Sequence, residues 1–439
     1  MYTNKLSKIF CFIAHIRILP PHIKISLIGT IEGFLNFITC FSRIWSRNKP
    51  FVMSNVRNVK NEKSNKAQKD SVNSINEEIR KNRGQKGGNK IRSEDDTSNV
   101  NILENGKNKE NPLVIVTGGT RGIGLQIVNI LVENNFRVHI LSRSIREMEK
   151  IRHKNRVMIR YSYLDLSKIK NINSTVKNIV KEYQEADEDF NLKYVICNAG
   201  VYYRNTWFID DVESNLMVNH VGHHCLVQCL LNYQPEKVLF VSSSAAYSVT
   251  NWCYVSSKFT YGVSRDKSIN NKNKKINQKI QDSKSITFTK KRDLKIESVS
   301  SRFEAFKKTY TSQSDFLMTK YSMSKFANIL YCLYLQKNNK KTIFIAAHPG
   351  MIPTALFDTT FYGKFLNFFS FVHPFVLYSD KEGAKDILNA LFSSENGDLM
   401  YVRGKKAEVP RFASIDKAEN LMEYTNMVCE ENDIKYQNV

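Results

Sequence analysis

Four Tyr-x-x-x-Lys pairs occur in this 439-residue chain: Tyr233–Lys237, Tyr254–Lys258, Tyr321–Lys325 and Tyr401–Lys405. On a helix, residues four apart share one face. An ammonium held there favours the phenolate and draws the tyrosine pKa down from its ordinary value near 10. Such a phenol can give a proton to a carbonyl oxygen or take one from an alcohol. The question is which pair sits on a helix that could hold this geometry. Pro235 interrupts the first pair. Tyr254 is followed by "FTYGVSRDKSINNKNKK", which has no helical face. Tyr321 is followed by the amphipathic "FANILYCLYLQ" and then by "KTIFIAAHPG", a strand pattern.

The elements around these pairs alternate. "PLVIVTGG" reads as a strand, "GLQIVNILVENN" as a helix and "FRVHILSRS" as a second strand, which makes a βαβ unit. Further strand patterns follow at "NRVMIRYSYLDL", "KYVICNAG", "KVLFVSSSA" and "KTIFIAAHPG", with helical patterns between them. The expected class is α/β: a Rossmann-type, doubly wound parallel sheet in a single domain over 111–438. A disordered insertion at 258–312 and an N-terminal extension complete the chain. The extension divides into an apolar segment, 1–46, and a basic linker, 47–110.

The formal net charge is +23, and the linker and the insertion hold most of it. Both are rich in Asn, Lys and Ser, a composition that buries too little apolar surface to order itself. No basic helix with interleaved aromatics suggests a nucleic-acid groove, so no nucleic-acid partner is expected. The eight cysteines form no C-x-x-C pair, and the chain is too long to be a disulfide scaffold. His220, His223 and His224 lie in a helical pattern without acids or cysteines at ligand spacing, so no metal is expected. Residues 25–45 have about the length that spans a bilayer, weakened by Glu32 and Asn36. With flanking Lys and Arg they predict a membrane-associated or organelle-targeted chain, with the endoplasmic reticulum as one destination and the cytoplasm as the alternative.

"TGGTRGIG" follows the first strand and opens the first helix. Gly118, Gly122 and Gly124 let the backbone turn tightly, and Thr120, Arg121 and Ile123 lie among them. In this context the helix N-terminus supplies N–H donors and positive dipole to a pyrophosphate. The second strand ends in "LSRS", with Arg143 where an acid would accept the 2′-hydroxyl of NAD. Arg143 and Arg121 suit a 2′-phosphate. The expected cofactor is NADP(H), with NAD(H) the lesser choice.

"TGGTRGIG", "CNAG", "VNHVGHH", "FVSSSA", "YSMSKFAN" and "HPGMIPT" occur in the order used by the short-chain dehydrogenases/reductases. The Asn-His-x-Gly-His element, the Ala-Asn after Tyr-x-x-x-Lys and "SDKEGAKDILNALF" resemble the retinol dehydrogenase and WW-domain oxidoreductase branch; no WW domain is seen. The resemblance implies that Asp165 and Leu166 meet the adenine and that Asn198, Ala199 and Gly200 pack beside the cofactor. Pro349, Gly350 and Thr354 would meet the nicotinamide end. It implies catalytic roles for Asn219, Ser243, Tyr321 and Lys325, with Ser242 and Ser244 open by a slip of register. In the family order the strand after the active-site helix must come next, which disfavours Tyr401 and selects Tyr321. The long gap from Ser243 to Tyr321 departs from the family pattern and sends the insertion out near the substrate side.

The function that follows is carbonyl–alcohol interconversion with NADP(H). Its small substrate is expected to be lipophilic, from the branch and from the aromatic-rich "FDTTFYGKFLNFFSFVHPFVLY". Two alternatives stand beside it: a catalytically weak NADP-binding scaffold or redox sensor, and an NAD-dependent alcohol dehydrogenase. The oligomeric state is not legible.

Overall fold

The computed structural model describes residues 2–15, 21–38, 111–154, 158–203, 207–249, 319–352 and 377–434. The linker, the insertion, Tyr254 and Thr354 lie outside the described residues.

Among the described residues, seven parallel strands form the sheet, and a short antiparallel strand closes one edge. The strands are β1 (Leu113–Thr117), β2 (Arg137–Ser142), β3 (Ile159–Tyr163), β4 (Leu192–Cys197), β7 (Lys237–Val241), β8 (Ile343–His348) and β9 (Met400–Val402), with β10 (Lys405–Lys406) as the antiparallel edge. A separate hairpin pairs β5 (Phe208–Ile209) with β6 (Val212–Glu213). The spatial order is β10-β9-β8-β7-β4-β1-β2-β3. β1 therefore pairs with β2 on one side and β4 on the other, and the chain reverses its winding between them. Such a switch point opens a crevice beyond the carboxyl ends of the two strands, where an open α/β sheet takes its ligand.

The sheet is covered on both faces, which explains why its strands read as continuous apolar runs rather than alternating ones. On one face lie α3 (Gly122–Glu133) and α8 (Asp380–Ser393), with Ile127, Leu131, Ile387 and Leu391 against Val114, Val116 and Ile345. α4 (Ile145–Lys154) adds Met148 to that side. On the other face lie α5 (Ile172–Glu185), α6 (Gly222–Leu231), α7 (Thr319–Asn338) and α9 (Ile415–Glu431). Within α7, Phe326, Ile329, Leu330, Tyr331 and Leu335 are buried. Fully burying a side chain of this size contributes on the order of 2–3 kcal/mol. That burial fixes the helix carrying Tyr321 and Lys325 against β7 and β8.

Two N-terminal helices, α1 (Tyr2–His15) and α2 (Pro21–Ile38), join the same core. Phe10, Ile13 and Ile28 belong to the α7 side, and both helices lie on the short 3₁₀ turn Ser244–Ser248. Phe10 meets Tyr247 with ring centres 5.4 Å apart. Among the described residues no helix is long and apolar enough to cross a membrane. The acid that interrupts the apolar pattern, Glu32, is fully buried against the domain. Residues 39–46 lie outside the described set.

Candidate active site

The glycine turn has the backbone its sequence implies. Gly118 has φ 67° and Gly122 has φ 56°, in the left-handed region that a side chain disfavours. A Cβ at Gly124 would lie 2.2 Å from the Gly118 carbonyl and 2.5 Å from Asn198 Nδ2. Only glycine lets α3 start this close to β1. Asn198 Nδ2 donates to the carbonyls of Thr117 and Gly118, at 3.0 and 3.2 Å, which joins the β1 and β4 ends across the switch point.

A dinucleotide suits this crevice. The first turn of α3 has no side-chain cap at Arg121, so its N–H groups are not taken by a capping side chain. Among the described residues, a Cβ at Gly122 would approach nothing closer than the Asp380 carboxylate, at 3.8 Å. Thr120 meets the Ser142 hydroxyl at 3.3 Å, which ties the turn to the end of β2. Arg121 and Arg143 are both exposed at this end. Asp165 Oδ1 accepts from the Ser167 N–H and hydroxyl at 3.0 and 2.7 Å, holding the loop after β3. Leu166 is buried there, and its carbonyl would lie 2.2 Å from a Cβ at Gly222, at the start of α6.

At the carboxyl end of β7 three consecutive serines take three different partners. Ser242 Oγ donates to the Lys325 carbonyl at 2.9 Å and locks β7 to α7. Ser244 faces the Glu32 carboxylate and helps to hold its pKa down. Ser243, which caps the 3₁₀ turn, faces the Tyr321 phenol closely enough to influence its pKa. Burial pushes the Tyr321 phenol up to about 12, and the Ser243 contact works against that rise. The Tyr202 ring stands edge-on to Tyr321 with centres 5.8 Å apart.

Lys325 follows Tyr321 by one turn of α7. Its ammonium donates to the Val241 carbonyl at 2.8 Å and sits 5.7 Å from the Tyr321 ring centre. Burial lowers Lys325 to about 8, with Cys197 acting in the opposite sense. Gly200 makes room for it: a Cβ there would lie 3.0 Å from Lys325 Nζ.

Asn219 lies in a π-helical stretch, Met217–Val221, ahead of α6. Its Oδ1 accepts from Val201 N at 2.7 Å, and its Nδ2 donates to Val201 O and Ser324 Oγ, each at 2.9 Å. One amide thus ties the loop after β4 to α7. His223 completes this network. One ring nitrogen meets the Asn219 carbonyl at 3.1 Å, and the other meets Thr117 Oγ1 at 3.0 Å. Burial first, and the Lys325 charge, lower His223 to about 4, so the ring is neutral. Nδ1–H then donates to the Asn219 carbonyl and Nε2 accepts from Thr117. His223 was visible in the sequence only as part of a histidine cluster; its role depends on a partner 106 residues away.

Asn219, Ser243, Tyr321 and Lys325 thus come together at the carboxyl ends of β4 and β7, although the insertion separates Ser243 from Tyr321. Pro349 and Gly350 follow β8 at the same end; Gly350 has φ 98° and lies under the Tyr378 ring.

The fold and this cluster define an α/β protein with a switch-point crevice and Asn219, Ser243, Tyr321 and Lys325 gathered beside it. Residues 112–265 match the family model described as short chain dehydrogenase. Human retinol dehydrogenase 11 is 31% identical over 147 residues, covering 30% of this chain and 43% of the relative. The WW domain-containing oxidoreductase of Gallus gallus is 26% identical over 157 residues, covering 33% of this chain and 36% of the relative. The solved KRED1-Pglu enzyme aligns at 18% identity over 66% of this chain and 100% of its own, with a TM-score of 0.43. Over the matched stretch the chain is similar to short-chain dehydrogenases, and the curated relatives it resembles include a retinol dehydrogenase and a WW domain-containing oxidoreductase. The matched stretch spans less than half the length of these curated relatives. The family-model match includes Tyr254–Lys258 and ends before Tyr321.

Proposed function

We propose that the chain is an NADP(H)-dependent oxidoreductase that interconverts a carbonyl and an alcohol on a lipophilic substrate. The observation that carries this reading is the meeting of Ser243 and Tyr321 side chains with Lys325 one turn further on. The glycine turn and the α3 N-terminus would hold the pyrophosphate, and Arg121 and Arg143 would face the 2′-phosphate. When bound, the nicotinamide supplies or accepts the hydride at the substrate carbon.

In reduction, Ser243 Oγ–H and the Tyr321 phenol both point hydrogen-bond donors at the carbonyl oxygen. Tyr321 gives up its proton as the oxygen gains charge, and in oxidation the phenolate takes that proton back. Lys325 holds positive charge beside the phenolate so formed. Asn219 acts by holding the Val201 loop and α7 in register. Tyr202, against Tyr321, and the half-buried Tyr203, whose ring centre is 4.1 Å from that of Trp207, offer an aromatic wall suited to an apolar substrate.

The deciding experiment is NADPH oxidation against a panel of apolar aldehydes and ketones, with wild type and Tyr321→Phe. Turnover by wild type and its loss in Tyr321→Phe, with NADPH binding retained, supports the reading. No turnover by either protein, with NADPH still bound, favours a scaffold.

Membrane association belongs to the same proposal. On α2, Ile23, Leu27 and Phe34 recur at helical spacing on the exposed side, and Phe12 of α1 is 69% exposed. An outward apolar face of this kind suits the boundary of a bilayer. Flotation of the full chain with anionic vesicles, lost when Phe12 and Phe34 become Ser, tests it.

A further inference from the structure

α2 brings a carboxylate into the domain core 316 residues away in sequence from its partner. Glu32 is fully buried, and its Oε1 lies 2.9 Å from His348 Nε2. Charged and polar groups from three other elements face it. They are His348 at the end of β8, the Arg403 guanidinium in the turn from β9 to β10, and the Ser244 hydroxyl. Burial alone would raise the Glu32 pKa, but these three partners outweigh it and keep the carboxyl ionised.

The two partners that matter sit next to the candidate active site. Ser244 follows Ser243, whose hydroxyl faces Tyr321. His348 precedes Pro349 and Gly350. His348 O also accepts from Arg403 N at 2.8 Å, and the Arg403 guanidinium lies 4.5 Å over the Tyr378 ring that covers Gly350. Because α2 also lies on the Ser244–Ser248 turn, its Glu32 links the β7 serine turn to the β8 Pro-Gly turn through His348. A buried carboxylate costs several kcal/mol unless it is paired, so such an acid is not casual filling.

We propose that Glu32 is a positioning residue for the Ser243–Tyr321 site, and that α1 and α2 are part of the catalytic unit rather than a leader attached to it. Glu32 acts through Ser244 and His348; it touches no reacting atom. It sets the spacing between the serine turn, which orients the substrate oxygen, and the Pro-Gly turn beyond β8. A displacement of an ångström at such a site costs up to about a hundredfold in rate.

The kinetic arm of the test rests on the carbonyl–alcohol reading; a second arm does not. The full chain would carry Glu32→Ala, Glu32→Gln or, as a control from an exposed position of the same helix, Thr30→Ala. Backbone hydrogen exchange is followed in peptides covering 242–248, 348–352 and 113–117, and kcat, KM and NADPH affinity are measured in parallel. Glu32→Ala should speed exchange in 242–248 and 348–352 while leaving 113–117 protected. Its kcat should fall about tenfold to a hundredfold, with NADPH affinity held within about twofold. Glu32→Gln, which keeps an acceptor for His348, should recover part of both effects. Unchanged exchange at the two turns overturns the proposal. So does a rise spread evenly over the sheet, which would mark Glu32 as a matter of global stability only. If wild type turns over no substrate, the functional reading fails and the exchange arm alone decides the role of Glu32.

Discussion

Lys325 Nζ lies 5.7 Å from the centre of the Tyr321 ring and spends a hydrogen bond on the Val241 carbonyl. The two side chains share a face of α7, yet the phenol is pushed up to about 12 and the ammonium down to about 8. Both shifts have burial as their largest cause. A buried acid and a buried base with opposed shifts are costly to keep, and they concentrate where protons are exchanged. The four predictions below follow from that pair and from the elements that hold it.

Ser242 and Ser243 should respond differently. Ser243→Ala removes the hydroxyl that faces Tyr321 and should lower kcat about a hundredfold to a thousandfold, while loss of its cap on the 3₁₀ turn should cost about 1 kcal/mol. Ser242→Ala removes the bond to the Lys325 carbonyl, and should cost about 1 kcal/mol of stability with a much smaller effect on kcat. Paired thermal melts and NADPH-oxidation assays check this. If Ser242→Ala is the catalytically dead variant, the register assigned at the end of β7 is wrong.

Lys325 sets a pH window. In the folded chain it titrates near 8, against an ordinary value of 10.5. Between those values the unfolded chain binds more protons, so stability rises with pH across that interval. The cost of the buried ammonium is fully present below about pH 8 and fades as it loses its proton. Lys325→Met should therefore be the more stable protein at pH 7, by up to about 3 kcal/mol. Its advantage should shrink between pH 8 and 10.5. Turnover runs the other way: kcat/KM of wild type should fall above about pH 8, and Lys325→Met should be inactive throughout. Denaturant melts at several pH values, set beside a pH–rate profile, would show the two trends.

Much of this site was legible because its physics is local. A glycine turn between a strand and a helix, a Tyr and Lys one turn apart, and a serine at a strand end each depend on nearby chain. The apolar helix after Tyr321 set it apart from Tyr254 in the sequence, and Tyr233 and Tyr401 sit in an irregular turn before β7 and in β9, next to the β10 edge. Other features depend on partners remote in sequence and left little local trace. His223 reads as one of three histidines until Thr117 and the Asn219 carbonyl close around it. Glu32 weakens a membrane-spanning pattern, which is how its sequence context presents it. Nothing near residue 32 announces His348 or Arg403. The choice among Ser242, Ser243 and Ser244 was similarly open, since only the approach of α7 and α2 gives each hydroxyl a different partner.

The proposed preference for NADP(H) rests on two exposed arginines, Arg121 and Arg143. A guanidinium beside a 2′-phosphate forms charge-assisted hydrogen bonds that a 2′-hydroxyl does not offer. Arg143→Ala should weaken NADPH binding about tenfold or more, at roughly 1.5–3 kcal/mol for hydrogen bonds to a charged group. NADH binding should change by less than about threefold, since the lost partner is absent from NADH. Fluorescence titrations with both dinucleotides at fixed ionic strength decide this. An equal loss for the two would move the 2′-phosphate contact elsewhere, with Arg121 the next residue to test.

Gly124 provides the sharpest separation of fold from ligand. A methyl group there would lie 2.2 Å from the Gly118 carbonyl and 2.5 Å from Asn198 Nδ2. Neither is the free end of a flexible side chain: one is backbone, and the other bridges the β1 and β4 ends through two hydrogen bonds. Gly124→Ala must therefore push α3 away from β1 or break the Asn198 bridge. Overpacking of this kind costs about 1–3 kcal/mol, and the displaced α3 N-terminus should lower NADPH affinity by more than the stability loss alone predicts. Gly122→Ala is the contrasting variant. Among the described residues, a Cβ there meets only the Asp380 carboxylate at 3.8 Å, so its penalty comes from φ 56° rather than from a clash. It should cost about 1 kcal/mol of strain and leave the Asn198 bridge in place. Thermal melts with and without NADPH should show Gly124→Ala losing most of the ligand-induced rise in Tm, while Gly122→Ala keeps more of it. Equal behaviour of the two would mean that backbone strain, not the spacing of α3 from β1, governs the turn.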